Sequence, residues 1–187
     1  MIPDHEFITH KNVPGPTKEE VRCLVMCKSN VSPDDTVVDI GCGTGGLTLE
    51  FARRSRLVYA VDKNIDALKT TAQNLKKHDL DKKVQLIHSD ALEALNDIET
   101  FDILMIGGSG GDLSFLIEEG HKKLRPNGKI MVTSILLETP GEAVETMKKL
   151  NMDIDVVDVS ISKGRVMERG TMMLARNPIT IVTGKKI

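Results

Sequence analysis

Short apolar runs alternate with longer amphipathic stretches along most of the chain. Val37-Val38-Asp39-Ile40 reads as a buried strand, bounded by Pro33-Asp34-Asp35 and by Gly41. Leu57–Val61, Val84–Ile87 and Ile103–Ile106 repeat the pattern, and Ile130–Thr133 makes a fifth strand entered through a Pro126-Asn127-Gly128 turn. Between them, apolar positions recur at helical spacing: Ile65, Leu68, Ala72 and Leu75; then, less cleanly, Phe115, Leu116 and Leu124 around Glu119; then Ala143, Val144, Met147 and Leu150. Strand and helix in this rhythm predict a parallel sheet with helices on both faces. Ile154–Ile161 and Met172–Val182 predict two more strands, with no helix-length segment between them, that pair as an antiparallel end of the sheet. Residues 1–187 thus read as one seven-stranded α/β domain, in which 1–30 form an N-terminal extension and a first helix. Thr17 and Glu20 have the spacing of a capping box at the start of that helix, which runs to about Ser29 and turns Val21, Leu24 and Val25 towards the sheet.

Composition narrows the function classes. A chain of 187 residues buries a sufficient core without disulfides or a structural metal. A net charge of -2 and an aromatic content of 3% argue against a nucleic-acid partner, which usually needs a basic excess or stacking platforms. No run of about 18 apolar residues is present, so no membrane-spanning helix is expected. The first residues, Met-Ile-Pro-Asp-His-Glu, lack the basic and apolar regions of a secretory signal, and a cytoplasmic location is the expectation. Cys23 and Cys27 lie four apart on a helix with no second ligand pair, and the five histidines are scattered. No metal is expected, and the two cysteines read as small core residues.

The strongest chemical signal is Val38-Asp39-Ile40-Gly41-Cys42-Gly43-Thr44-Gly45-Gly46, which follows a strand and opens a helix. Alternating glycines let the backbone turn tightly and approach a ligand without Cβ clash. Asp62 ends the second strand about 20 residues further on, where a carboxylate accepts from both hydroxyls of a ribose. Asp39, two residues before the first glycine, suits an ammonium group and would repel a dinucleotide pyrophosphate. An amino-acid-bearing nucleoside explains both acids better than a dinucleotide does.

Over Thr36–Thr133 this order of motifs resembles the class I S-adenosylmethionine-dependent methyltransferases. The resemblance implies a Rossmann-like fold and S-adenosyl-L-methionine as cofactor. It gives the methionine ammonium to Asp39, the ribose to Asp62, and the adenine to Asp90 and the Ala91 amide after the third strand. The loop residues Gly41, Cys42, Gly43, Thr44 and Gly45 line the cofactor, and Cys42 needs only to be small. Three further segments, Val13-Pro14-Gly15-Pro16-Thr17, Gly107-Gly108-Ser109-Gly110-Gly111 and Arg169-Gly170-Thr171-Met172-Met173, extend the likeness over nearly the whole chain. With them the chain resembles the decarboxylating precorrin and cobalt-precorrin C15-methyltransferases of cobalamin biosynthesis. That resemblance implies an anionic tetrapyrrole substrate, a homotetramer, and a cofactor contact from Thr17 besides its cap.

The glycine loop lies where this fold presents the transferable methyl group. It replaces the Asn-Pro-Pro-Tyr of many amine methyltransferases, leaves room for a large flat substrate, and offers the amides of Gly108 and Gly110 to its carboxylates. Lys163, Arg165 and Arg169, with Arg176, form the concentrated basic stretch of the chain and are expected to clamp those carboxylates. Glu138 is a weaker substrate-side candidate. The alternatives are a class I methyltransferase of tRNA adenine or isoaspartyl protein, and a nucleotide-binding module without turnover.

Overall fold

The computed structural model describes residues 1–108 and 110–187; Ser109, in the middle of the glycine loop, lies outside the described residues. Strands β1 (Thr36–Ile40), β2 (Leu57–Asp62), β3 (Val84–His88), β4 (Phe101–Ile106) and β5 (Leu124–Ser134) alternate with helices. Helix α1 spans Glu19–Ser29, α2 Gly46–Ala52, α3 Ile65–Lys77, α4 Ala91–Asp97, α5 Leu113–Lys123 and α6 Glu138–Lys149. Strand β6 (Asp153–Val159), a hairpin of β7 (Ser162–Met167) and β8 (Gly170–Ala175), and β9 (Ile179–Lys185) complete the chain.

The sheet has the order β3-β2-β1-β4-β5-β9-β6, parallel from β3 to β5, with β9 antiparallel to both of its neighbours. The strand periodicity sorts the core. Val37, Val58, Ile103, Met105 and Met131 face Val21, Val25 and Phe51 of the first two helices. Their neighbours Val38, Leu104, Ile106, Ile130 and Val132 face Leu95, Leu116, Ile117 and Met147 of α4, α5 and α6. All five residues of β1 are buried, as befits the central strand of a sheet covered on both faces. Among the described residues no helix is long and apolar enough to cross a membrane.

Four local expectations are corrected. The stretch Met172–Val182 is two strands. Pro178 lacks the N–H that a ladder needs and interrupts it, so Met172–Ala175 pair with β7 and only the part from Ile179 joins the main sheet. Strand β5 begins already at Leu124, and Pro126–Gly128 form a bulge within it, with Asn127 at φ +64. Thr17 does not cap α1: the N-cap is Lys18, without a side-chain bond, and the Thr17 carbonyl accepts from Arg22. Glu20 turns away because Lys163 and Arg176 draw its carboxylate, at 2.7 and 2.8 Å. Cys23 and Cys27 are exposed on α1, since the helix turns Val21, Val25 and Met26 inward instead.

Residues 1–18 run back over the domain as a strap. Arg22, fully buried, pins it through Asp4 at 2.8 Å and through the carbonyls of Ile2 and Thr17, with its guanidinium over the Phe7 ring. Buried Asn74 of α3 adds a second anchor: it accepts from the Ile8 amide at 2.7 Å and donates to the carbonyls of Ile8 and Thr44.

Candidate active site

Strand order reverses between β1 and its two neighbours, β2 and β4, so their carboxyl ends splay around a crevice. Gly107 N donates to Ile40 O at 2.9 Å there, and the two strand-end loops nearly touch. Gly41 holds φ +74, and a Cβ on it would sit 3.1 Å from Gly108 N; glycine is required on both counts. The strap crosses the same point. A Cβ on Gly46 would lie 3.1 Å from Pro16 Cβ and Thr17 N, and Thr44 Oγ1 donates to Pro14 O at 2.6 Å.

Three adjoining cavities follow. The first, about 330 Å³, is lined by Thr17, Asp39, Gly41, Cys42, Gly43, Thr44 and Asp62, and by Asn64. Gly45, at φ +87, stands just behind it at the start of α2. The second, about 250 Å³, is lined by Asp62, Asp90, Ala91, Gly108 and Gly110, with Lys63 and Ser89. The third, about 720 Å³, takes in the strap, Gly108, Gly110 and the end of β5 through Leu136. Among the described residues Gly108 is common to all three.

Asp62 is fixed by two backbone amides: Gly43 N donates to Oδ2 and Asn64 N to Oδ1, both at 2.9 Å. Each oxygen keeps a lone pair for a further donor. Asp90 caps α4, accepting from Leu92 N at 3.0 Å, which leaves the Ala91 amide at the first turn of the helix. Burial pushes the Cys42 thiol up, so it is an inert lining group rather than a nucleophile.

Asp39 is 2% exposed, and its side-chain partner among the described residues is the Thr48 hydroxyl at 2.5 Å. Burial raises its carboxyl to about 6, against the pull of the Thr48 bond and with a further push from Asp62. Because the folded value lies above that of the unfolded chain, the fold binds this proton more tightly. The contribution of Asp39 to stability is full at acid pH and is lost as the pH rises through about 6. Asp39→Asn is therefore expected to melt above the wild type at about pH 8, with the gap closing towards pH 4. Thermal melts across that range check this, and equal melting at every pH would refute the buried charge.

The structure separates the basic stretch from these cavities. Lys163 lies against Glu19 at 3.0 Å and Glu20 at 2.7 Å, whose carboxyls it holds below their ordinary range. Arg165 is exposed on β7 and Arg169 at the hairpin turn, and neither lines any of the three cavities. The reason is topological: the connection between the last two sheet strands folds on itself as a hairpin instead of reaching over the sheet edge. Glu138 is likewise exposed and outside the cavities. Sequence reasoning passed over Asn64, Thr133 and Arg22; Asn64 carried a signal, as the N-cap residue opening α3.

A doubly wound sheet with an acid before a glycine turn, a second acid ending the next strand, and an antiparallel last strand is the fold of the class I methyltransferases, which the solved structures it matches share. The family model of the precorrin methyltransferase domain matches residues 11–186, and the chain belongs to that family. A protein of Methanothermobacter thermautotrophicus named as a probable cobalt-precorrin-6B C(15)-methyltransferase (decarboxylating) is 50% identical over 182 residues, 97% of this chain and 95% of that one. The crystal structure of a precorrin 8W decarboxylase from Methanobacterium thermoautotrophicum superposes with a TM-score of 0.96 at 49% identity, covering 98% of this chain and 99% of that one. A precorrin-6Y C5,15-methyltransferase from Geobacter metallireducens matches at 0.92 and 30% identity, over 100% and 98% of the two chains.

Proposed function

We propose that this methyltransferase transfers a methyl group from S-adenosyl-L-methionine to C15 of cobalt-precorrin-6B and releases the ring C acetate carboxyl as carbon dioxide. The observation that carries the cofactor assignment is Asp39: a carboxylate buried to 2% exposure with a hydroxyl as its partner, aimed at the same cavity as Asp62. An ammonium group placed beside Asp39 compensates the burial of its charge, and a ribose diol meets the free lone pairs of Asp62. The second cavity, with the Asp90 carboxylate and the Ala91 amide, suits an adenine edge. Thr17, Cys42 and the turn from Gly41 to Gly45 close around the remainder.

The cofactor supplies an electrophilic methyl group when bound. The chain's own task is alignment. Gly108 lines both the cofactor space and the large cavity, and its bare backbone lets a flat acceptor approach. Holding donor and acceptor in register supplies roughly 7–11 kcal/mol of the barrier. Asp39 and Asp62 belong to the cofactor and Cys42 is inert, so on this reading the ring system of the substrate itself supplies the electron pair of the new carbon–methyl bond, while the carbon–sulfur pair leaves with S-adenosylhomocysteine, and the ring takes up the pair left when the acetate loses carbon dioxide. On this reading the partner is an anionic tetrapyrrole and the location the cytoplasm.

A homotetramer accompanies this reading. The β7–β8 hairpin leaves Val166, Met167, Met172, Met173 and Leu174 exposed, an apolar ribbon that a second copy would cover.

Incubating the protein with S-adenosylmethionine and cobalt-precorrin-6B, with tRNA, or with no acceptor tests the reaction. S-adenosylhomocysteine is expected with the corrinoid alone, together with a product that has gained a methyl group and lost carbon dioxide by mass spectrometry. Turnover with tRNA, or none with the corrinoid, refutes the proposal. A light-scattering mass of a single chain would refute the tetramer.

A further inference from the structure

The 720 Å³ cavity has the size of a drug-scale ligand pocket and adjoins the cofactor space through Thr17, Gly108 and Thr133. Among the described residues its walls include no arginine. Among the described residues the cation that lines it is Lys18, which is exposed and in no ion pair there. Glu142 also lines it, but its carboxylate accepts from Ser114 N at 3.1 Å.

The corner between β5 and α6 forms another part of the wall. Ile135 is 64% exposed and Leu136 62%, and both line the cavity; Leu137 continues the run at 89%. Three consecutive large apolar side chains in solvent are costly unless something covers them. Ser134 holds the corner in shape, its Oγ accepting from Leu136 N at 2.9 Å.

We propose that Lys18 and the Ile135–Leu136 corner grip the tetrapyrrole substrate, Lys18 taking a peripheral carboxylate while the two apolar side chains lie against the ring. The proposal rests on the tetrapyrrole reading above. It moves substrate recognition from the basic hairpin, where Lys163 is already paired with Glu19 and Glu20, to the strap and the corner. The occupant follows from the lining: a broad apolar body needs the exposed corner, anionic edges need Lys18, and contact with the cofactor space needs the shared wall at Gly108.

Calorimetry with two corrins separates the parts. Cobyrinic acid carries free carboxylates; cobinamide keeps the ring and replaces them with amides. Lys18→Met is expected to weaken cobyrinic acid about tenfold and to leave cobinamide unchanged. The double variant Ile135→Ser, Leu136→Ser is expected to weaken both by roughly five- to tenfold. S-adenosylhomocysteine affinity, unchanged in all of them, reports an intact fold. If the wild type binds cobyrinic acid and both variants bind it equally well, the grip is refuted while the tetrapyrrole reading stands. If Lys18→Met weakens both corrins alike, Lys18 is no carboxylate anchor. If the wild type binds neither corrin, the tetrapyrrole reading falls and the grip with it.

Discussion

Asp62→Ala is expected to cost about 3 kcal/mol of S-adenosylhomocysteine binding, roughly a hundredfold in affinity, the largest loss of any single change in the cofactor cavity. Two effects combine. The ribose loses charge-assisted acceptors. The amides of Gly43 and Asn64, now held at 2.9 Å by the two carboxylate oxygens, lose their partners, so the glycine turn and the start of α3 lose their common tie. Asp62→Asn separates the two: one side-chain oxygen remains for an amide, and the charge is gone. Calorimetry on both variants makes the check. If Asp62→Ala binds within a few-fold of the wild type, the ribose assignment is wrong.

Arg22→Met is expected to destabilise the protein by about 3–5 kcal/mol, because it removes one partner from a buried ion cluster. Glu50, fully buried, lies 4.0 Å from Arg22 Nε and also receives Ile2 N and Arg54; Asp4 lies 2.8 Å from the guanidinium. Methionine keeps the volume and leaves these acids with less positive charge. For a chain of this size the melting temperature should fall by roughly 10 °C. The loss is not confined to stability. Arg22 also holds the carbonyls of Ile2 and Thr17, so the strap that walls two cavities should loosen, and cofactor affinity should fall with it. Limited proteolysis should then cut within the first 18 residues sooner than in the wild type. A melting temperature within about 2 °C of the wild type would show that the cluster contributes little.

These two residues differ in how visible they were. Asp62 stood out because its place in the crevice depends on local order: a strand, its terminal acid, and a glycine turn about one βα unit earlier. Arg22 was one charged residue on an amphipathic helix, and nothing in its neighbours announced that residues 1–18 would return over it. Lys163 failed in the opposite direction. It looked like a free cation in a basic stretch, but its partners Glu19 and Glu20 lie more than 140 positions away in the chain. The capping box at Thr17 and Glu20 failed for the same reason, since that distant lysine and Arg176 compete for Glu20.

What the sequence determined by itself is whatever repeats over a few residues. Alternation at period two put Val37 and Val38 on opposite faces of a central strand, and helical spacing placed the covering helices. The acid–glycine–acid spacing marked the crevice at the switch point of the sheet, because strands that part there need a short turn with left-handed glycines. What only the tertiary structure decided is which distant groups meet. Pro178 divided an apolar run into a hairpin strand and a sheet strand, the strap closed over α1 through Arg22 and Asn74, and the large cavity drew its cation from Lys18 instead of the hairpin. Local pattern encodes backbone conformation and which face turns inward. The pairing of charges is a long-range competition, settled only when the sheet brings the ends of the chain together.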